Sequence, residues 1–517
     1  MVESLQVLAD PAEVPDAYEA EVAVSVLLGI MVQAGARDEL LAKALLDVAD
    51  ELSRGNPAHA LPALRTLAAV GPAEISGYAA QAADRVAAAT ERAGETPDWI
   101  GALGRVTPGT CTIAHDVYGE TQAVLCEFAY PDGARPHGVF TVIDATWHDA
   151  VTQLVVTDDP AATRREMEKR ARRAGELRQT PAREAGVLLQ AGIGAFLRYG
   201  PPPGTDIQDD DYALLCSSLS LARRRAAALT GRDAEPPAPD DLADRWPQDA
   251  RQGLVSEFLA SPHARDLRDP VSRKIPFVII TTCVSQLGCD PQLVGPFLLE
   301  RMLLHVFPPT LLGPDRFGQA IPPVLRAWTS WLADRNAIPA RQRRQLMFRL
   351  EYLLRRFPAA WRGDDASPLR RYVQDLPDEV ACDGDAMFAI IERRTFAIPE
   401  PGSRGDGLAE ANSGGPARHV NDLDAASETD RALITMIGLG ERGVSQRRFD
   451  SYLAVAEQIW ADRPPEVWAA VQRMRAAGLS RVTILDRLAR TWGTVGDENH
   501  AGYPTALARQ AGPRTTG

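Results

Sequence analysis

Residues 122–157 read QAVLCEFAYPDGARPHGVFTVIDATWHDAVTQLVVT, and this stretch decides the fold class. Apolar and polar side chains alternate from Gln122 to Tyr130 and again from His137 to Asp144. That is the period of a strand with one buried face. Pro131-Asp132-Gly133 between them is a turn signal, and the β-branched segment Val151 to Thr157 follows. The pattern predicts an antiparallel meander of three or four strands.

So small a sheet is marginally stable in water, so it has to pack on helices. The flanking residues supply them, because apolar side chains recur at helical spacing on both sides of the meander. Val22, Val26, Leu27 and Ile30 are one such set. The predicted fold class is therefore α+β: a mostly α-helical multi-domain chain with one small antiparallel β-meander.

Proline, glycine and acidic clusters divide the chain into segments. The predicted segments are 1–107, an N-terminal helical unit; 108–158, the antiparallel β-meander packed on helices; 159–231, helices completing the first domain; 232–245, a linker; 246–398, a helical domain; 399–428, a disordered tether; 429–493, a small C-terminal helical module; and 494–517, a disordered tail. A cluster of aromatic residues in 246–398 predicts a helix-bundle core. Its members are Trp328, Trp331, Phe348, Tyr352, Phe357 and Trp361.

Charge and hydropathy exclude several classes of protein. The 517 residues carry a formal net charge of −13, which favours solubility and disfavours wholesale binding to nucleic acid or acidic membranes. No apolar run approaches the roughly 20 residues that span a bilayer, and the acidic start does not resemble a signal peptide. A cytoplasmic protein without membrane association is expected.

The six cysteines are sparse and form no Cys-x-x-Cys motif, and Cys283 and Cys289 lie in an apolar segment that predicts buried thiols. No P-loop, no Gly-x-Gly-x-x-Gly after a strand and no Gly-x-Ser-x-Gly motif occurs. The sequence therefore carries no motif for a nucleotide or dinucleotide cofactor and no pattern of an activated serine nucleophile, and it leaves the cofactor open, with a divalent metal possible.

Histidines and carboxylates concentrate around the meander and form the first candidate site. Such residues can bind a divalent metal or act as acid and base, and Asp144 stands at the end of an apolar strand. No ligand motif such as His-Glu-x-x-His is present, and the same residues could equally be exposed turn residues, with Asp144 capping the next turn. The set is His115, Asp116, Glu120, His137, Asp144, His148 and Asp149.

Two arginine-rich helices form the second candidate, because guanidinium groups pair with phosphates. In an acidic chain such helices more often pair with carboxylates or remain solvated. The first helix carries Arg164, Arg165, Lys169, Arg170, Arg172 and Arg173. The second carries Arg341, Arg343, Arg344, Arg349, Arg355 and Arg356, opposite Leu346, Leu350, Leu353, Leu354 and Phe357.

A C-terminal helix pair is the third candidate. The helices Pro465–Met474 and Ser480–Trp492, joined through Ala477-Gly478-Leu479, have the outline of a helix-turn-helix. The second helix offers Arg481, Asp486, Arg487 and Arg490. Any antiparallel helix hairpin has the same outline, so a DNA-reading role stays one alternative beside simple packing.

Several short segments resemble a group of uncharacterised actinobacterial proteins of unknown function. They are Asp116-Val-Tyr-Gly, Gly138-Val-Phe-Thr-Val-Ile-Asp, Val324-Leu-Arg-Ala-Trp, Pro465-Glu-Val-Trp and Ala477-Gly-Leu-Ser-Arg. The resemblance covers about a third of the chain, and that group has no assigned activity, so it implies no site residue. In that group a histidine often follows the strand-end aspartate directly, whereas here Ala145-Thr146-Trp147 separate Asp144 from His148.

Many amphipathic helices without a nucleotide loop or a nucleophile pattern favour a non-enzymatic cytoplasmic interaction or regulatory protein with a protein partner. Two alternatives remain open. One is a metal-assisted hydrolase that uses the histidine–carboxylate set with a divalent metal, and the other is a nucleic-acid binder that uses the arginine-rich helices.

Overall fold

The computed structural model describes residues 5, 14–35, 38–54, 56–90, 97–231, 242–363, 366–398, 408–409, 418–419, 423–440, 448–495 and 502–509. It is 69% helical and contains one five-stranded antiparallel sheet. The predicted α+β class, mostly helical with a small antiparallel sheet, is therefore confirmed. The chain divides into two compact units. Unit 1 comprises 1–265, 276–305 and 325–356, and unit 2 comprises 266–275, 306–324 and 357–517.

The strands of the main sheet are β1 (Thr107–Asp116), β2 (Thr121–Ala129), β3 (His137–Asp144), β4 (Ala150–Thr157) and β5 (Gly175–Thr180). Their order is β4-β3-β2-β1-β5, and every neighbouring pair is antiparallel. The predicted meander supplies β1 to β4 in sequence order. A two-residue pairing of β6 (Leu408–Ala409) with β7 (Arg418–His419) forms a separate small sheet.

The helices of the first half are α1 (Ala17–Gln33), α2 (Asp38–Arg54), α3 (Pro57–Val70), α4 (Ala73–Thr90), α5 (Pro160–Ala174), α6 (Ala182–Tyr199) and α7 (Asp210–Thr230). Those of the central part are α8 (Leu242–Arg245), α9 (Gln248–Ala260), α10 (Pro270–Thr282), α11 (Pro296–Glu300), α12 (Phe307–Thr310), α13 (Asp315–Arg335) and α14 (Ala340–Arg362). The remainder are α15 (Asp378–Ala381), α16 (Gly384–Ala397), α17 (Glu428–Gly440), α18 (Phe449–Ala461), α19 (Pro465–Ala476), α20 (Arg481–Val495) and α21 (Tyr503–Arg509).

Strand β5 was not predicted, because the sequence favours continuing helix α5 to about residue 177. The helix ends at Ala174, and Gly175 to Thr180 pair with β1, with Leu177 opposite Ala114. A Cβ on Gly175 would lie 1.9 Å from the carbonyl oxygen of His115, so only glycine permits this approach. Pairing with the free edge of β1 outweighs the local helix preference.

One face of the sheet packs on α6 and α7, which bury Leu189, Ile193, Leu219 and Ala222 against strand residues such as Val124. Helices α1 to α4 form a second core in the same unit. In unit 2, helices α16 to α21 share a core that includes Trp460 and Ile484. These cores remove apolar surface from water, the main favourable term in folding.

Helices α1 and α7 approach closely through small side chains. Ser25 donates through Oγ to the carbonyl oxygen of Ser217 over 2.6 Å, and accepts from the backbone N–H of Leu221 over 3.2 Å. A Cβ on Gly29 would lie 2.4 Å from the Cα of Ser217. Since that neighbour is backbone and cannot rotate away, the glycine sets the distance between the two helices.

Three predicted segments differ from the structure in detail. Within the predicted tail, 503–509 is helical, because Tyr503 and Leu507 are buried and the Tyr503 ring packs edge-on against Trp492. The last residues of the predicted linker form α8, whereas 232–241 lie outside the described residues. Most of the predicted tether also lies outside them, but its described end is packed, with Leu423 buried.

The aromatic core prediction is correct for four of its six residues. Trp328 and Trp331 pack with Phe258 in unit 1, and Phe357 packs with Trp361 in unit 2. Phe348 and Tyr352 are exposed instead. The predicted burial of Cys283 and Cys289 is confirmed, and both are free thiols.

Replacing Gly29 by alanine should lower the stability of unit 1, because the new methyl group meets the Ser217 backbone. We expect a loss of roughly 1–3 kcal/mol, measured by denaturant or thermal unfolding. Gly77→Ala is the matched control. It lies exposed in α4, and beyond its own chain neighbours and the local helix backbone no atom stands within 4 Å of the position that a Cβ would take there, so alanine should stabilise the helix slightly. Equal effects of the two substitutions would contradict the close-packing argument.

Candidate functional site

The strand register decides which of the predicted site residues meet. Asp144 pairs with Thr121, and His137 pairs with Phe128, so the two residues stand at opposite ends of β3. Seven residue steps at about 3.3 Å each separate them by roughly 23 Å. His137 therefore cannot share a ligand with Asp144. His115, Asp116, Glu120, His148 and Asp149 all lie at the Asp144 end.

Asp144 is buried and held by an arginine and a threonine. Arg301 donates through Nη2 to Oδ2 over 2.8 Å, and Thr146 donates through its backbone N–H and its hydroxyl to Oδ1 over 2.8 and 2.6 Å. Arg301 also donates to the Thr146 hydroxyl. The carboxylate therefore caps the turn after β3 and neutralises a buried guanidinium.

Glu120 is buried beside the same turn. Its two carboxyl oxygens accept the backbone N–H groups of Phe297 and Leu298 over 3.0 and 2.7 Å. A Cβ on Gly295 would lie 2.2 Å from its carboxyl carbon, so the side chain has no free volume around it. Burial raises the pKa of Glu120 to about 8, against the opposing effect of the two N–H donors.

The other residues at this end have local structural contacts. Asp116 accepts the backbone N–H groups of Tyr118, Glu120 and Thr121, which closes the β1–β2 turn. His148 has a left-handed backbone, and its ring stacks on Tyr199 with the centroids 3.6 Å apart. Burial lowers the pKa of His148.

His115 and Asp149 are exposed, and Asp149 also has a left-handed backbone. Among the residues that the structure describes, no group of three or more histidine, cysteine, aspartate or glutamate side chains could hold a metal ion.

His137 belongs to a different, fully buried network that the sequence did not predict. Arg225 donates through Nη2 to Glu21 over 2.6 Å and to the Tyr130 hydroxyl over 2.9 Å, and through Nε to Nε2 of His137 over 2.9 Å. Nδ1 of His137 lies 2.9 Å from the carbonyl oxygen of Arg135. Because arginine only donates, Nε2 must accept and Nδ1 must carry the proton.

Burial, reinforced by Arg225, lowers the pKa of His137 to about 4, so the ring is neutral at pH 7. Every member of the network has a partner, since Glu21 also accepts from Tyr130 over 2.7 Å and from the N–H of Gly104 over 2.6 Å. The network therefore connects α1, α7 and the sheet, and its residues are enclosed by protein.

The arginine-rich helix α5 is largely paired with carboxylates. Arg164 contacts Glu127, Lys169 and Arg170 contact Glu166, and Arg172 contacts Glu168. Arg165 is exposed. Four basic residues of α5 therefore pair with carboxylates, as the sequence predicts for an arginine-rich helix in an acidic chain.

Helix α14 differs from α5 because its outer face has few carboxylate partners. Arg343 pairs with Asp334 and Arg349 with Glu300. Arg341, Arg344, Arg355 and Arg356 are exposed, and none lies within 4.0 Å of a carboxylate in the described part of the chain.

Two aromatic side chains lie among these arginines. Phe348 is 74% exposed and Tyr352 is 39% exposed. The leucines predicted on the opposite side, together with Phe357, are all buried. We call the exposed set the arginine–aromatic face; it consists of Arg341, Arg344, Phe348, Tyr352, Arg355 and Arg356.

The C-terminal helix pair is formed by α19 and α20, as the sequence predicted. Arg481 donates to the carbonyl oxygens of Phe396 and Ala397 over 2.7 and 2.9 Å. Asp486 accepts the Tyr452 hydroxyl over 2.9 Å. Two of the polar residues that suggested a recognition helix therefore make contacts within unit 2.

No protein-family model, no curated protein and no solved structure matches this chain.

The raised pKa of Glu120 makes the stability of unit 1 depend on pH. The folded state keeps a proton that the unfolded chain releases near the ordinary value of 4.5. The free energy of unfolding that this retained proton contributes is fully present below pH 4.5 and is lost as the pH rises towards about 8. Glu120→Gln should therefore flatten the fall of stability over this range, measured as the unfolding free energy against pH.

Glu51→Gln, which removes a carboxyl group at an exposed position of α2, is the matched control for that measurement. A glutamine side chain in place of Glu120 puts an NH2 donor where one oxygen now accepts a backbone N–H group, so a uniform loss of stability is also expected. Identical pH slopes for the wild type and Glu120→Gln would show that Glu120 does not titrate in this range.

Proposed function

We propose that this chain is a non-enzymatic interaction protein that binds an anionic partner through the arginine–aromatic face of α14. One observation carries the proposal: four arginines, none within 4.0 Å of a carboxylate among the described residues, surround two exposed aromatic side chains on a single helix face.

The exposed aromatic residues support a binding role. A phenylalanine that is 74% exposed keeps most of its apolar surface in water, which a partner would remove. Single exposed apolar residues are ordinary, but arginine with aromatic residues is the composition enriched at interface hot spots. The combination on one face therefore favours a contact surface over chance exposure.

The charges indicate the sign of the partner. Glu351, the acidic residue nearest the middle of the helix, is held by Arg326 through two bonds of 2.6 and 2.9 Å. The carboxylates that pair with Arg343 and Arg349 are neutralised in the same way. The face is therefore left with a local positive charge within an acidic chain, which favours an anionic partner.

The metal-assisted hydrolase lacks comparable support. His137 and Asp144 lie at opposite ends of β3, and Asp144 and Glu120 already bond to Arg301 and to backbone N–H groups. A ligand or general base needs a free lone pair aimed at a shared point. The contacts of these residues point to a structural role.

For location, we propose the cytoplasm. The six cysteines are free thiols, which fits a reducing compartment. In the described part of the chain, no helix is long and apolar enough to cross a membrane.

Photo-crosslinking in cells of the source organism tests the proposal. A photoreactive residue replaces Gln345, which is exposed on the same face, and a second sample carries it at the exposed Val187 of α6 as the control site. We expect an adduct from position 345 that is absent from position 187. The chemical nature of the adduct is read by nuclease and protease digestion.

Charge reversal completes that experiment. Arg344→Glu with Arg355→Glu should abolish the adduct, because it replaces attraction by repulsion at the face. Arg165→Glu with Arg223→Glu makes the same charge change at exposed positions elsewhere and should leave the adduct intact. An adduct that is insensitive to Arg344 and Arg355, or no adduct at position 345, would contradict the proposed function.

A further inference from the structure

We propose that the anionic partner of the arginine–aromatic face is a single-stranded nucleic acid, held by phosphate contacts to the arginines and by base stacking on Phe348. This inference rests on the proposed function, since it names the partner of the same face. It differs from the protein partner that the sequence favours.

The spacing along the helix suits an extended strand. Arg344, Phe348, Tyr352 and Arg356 are four residues apart, so each step is about 6 Å and the row is about 18 Å long. Arg341 and Arg355 widen the row at its two ends. Cationic groups therefore flank the aromatic pair on both sides. In this arrangement the phosphate backbone of a nucleic acid can follow the arginines while its bases reach the aromatic rings.

The two aromatic rings are not equivalent. The guanidinium carbon of Arg349 lies 5.0 Å from the Tyr352 ring centroid, and that of Arg356 lies 5.7 Å from it. These cations are placed to interact with the π system of Tyr352. No such contact involves Phe348, which is the more exposed of the two, among the described residues. Phe348 is therefore the ring available to stack on a base.

A third exposed aromatic side chain lies on a helix that contacts α14. Phe297 of α11 is 53% exposed and precedes Glu300 by one turn. Glu300 bonds to Arg349 over 2.5 Å, which joins α11 to α14. Phe297 is therefore an exposed aromatic residue on a helix that is bonded to α14.

The small apolar area favours nucleic acid over protein. Two aromatic side chains bury about 150–250 Å² each, whereas a stable protein interface needs about 800 Å² on each partner. Binding to a nucleic acid depends much less on apolar area, because counterion release from phosphates supplies most of the affinity. The face is also the outer side of one helix, and peptide recognition by helix docking uses a groove.

A single strand fits better than a duplex. Stacking on a side chain requires an unpaired base, and every base has a face that can stack on phenylalanine. The inference therefore predicts a preference for single strands and little preference between sequences.

Fluorescence anisotropy with labelled oligouridylate and oligothymidylate, using the full chain, tests this. With four arginines in contact with phosphates, the slope of log K against log salt should be about −3 for a single strand. Arg344→Gln with Arg356→Gln should reduce that slope by about half. Arg165→Gln with Arg223→Gln is the matched control and should preserve it.

The stacking contribution is measured separately. Phe348→Ala should weaken binding by roughly tenfold or more while leaving the salt slope unchanged. Phe388→Ala removes an equally large, 60% exposed phenylalanine from α16 and should have no effect on binding. All these positions are exposed, so unchanged melting temperatures will show that the variants fold.

Polyglutamate and a duplex of the same length distinguish the outcomes. Polyglutamate that binds as tightly as the oligonucleotides, without loss in Phe348→Ala, would overturn the nucleic-acid inference and leave an anionic partner at this face. Equal binding of duplex would overturn the single-strand preference, and no binding of either oligonucleotide would overturn the inference altogether. The proposed function fails only if the crosslink at position 345 is absent or does not depend on Arg344 and Arg355.

Discussion

The buried ion pair between Glu21 and Arg225 is the contact on which the architecture of unit 1 depends. Glu21 belongs to α1 and Arg225 to α7, and the same guanidinium reaches Tyr130 and His137 at one end of the sheet. Burying two charges costs several kcal/mol for each ion, and that cost is offset only when all their hydrogen bonds are made. Here Glu21 has three donors, including Gly104.

This constraint explains why the sheet residues that look catalytic have structural contacts. A sheet covered on one face by helices must place its polar strand ends against protein, and each buried polar group there needs a partner. Asp144 therefore bonds to Arg301, and Glu120 to two backbone N–H groups. Buried histidines and carboxylates in this setting stabilise the fold when their hydrogen bonds are made, and the contacts of Asp144 and Glu120 fit that role.

Most of the sheet was predictable from local patterns, because alternation, β-branched residues and turn residues identify β2 to β4 without reference to distant parts of the chain. Strand β5 was not predictable from local patterns, because the edge of β1 that it pairs with is defined only in three dimensions. The buried network of Glu21 and Arg225 could not be predicted for the same reason, since the two residues lie 204 positions apart in the sequence.

Part of the site could have been read from the sequence with stricter geometry. The separation of His137 from Asp144 follows from the length of β3 alone. At 100° per residue, Phe348 and Tyr352 fall opposite Leu346 and Leu350, so their exposure was implied by helical phase. Their aromatic character favours burial, but their position on the helix decides their exposure. Which arginines lack a carboxylate, in contrast, depends on residues such as Asp334 and Glu300 that only the folded chain brings close.

The acidic net charge and the proposed basic binding face are compatible because of screening. At physiological ionic strength the field of a surface charge decays over about 8 Å, so a partner at α14 experiences chiefly the charges of that face. The acidic remainder keeps molecules of this chain apart and limits indiscriminate binding elsewhere on the surface. Because the arginines are confined to one patch of an acidic protein, an anionic partner is attracted to that patch and not to the rest of the surface. The exposed phenylalanine at the centre of the patch adds an apolar contact that charge alone does not supply.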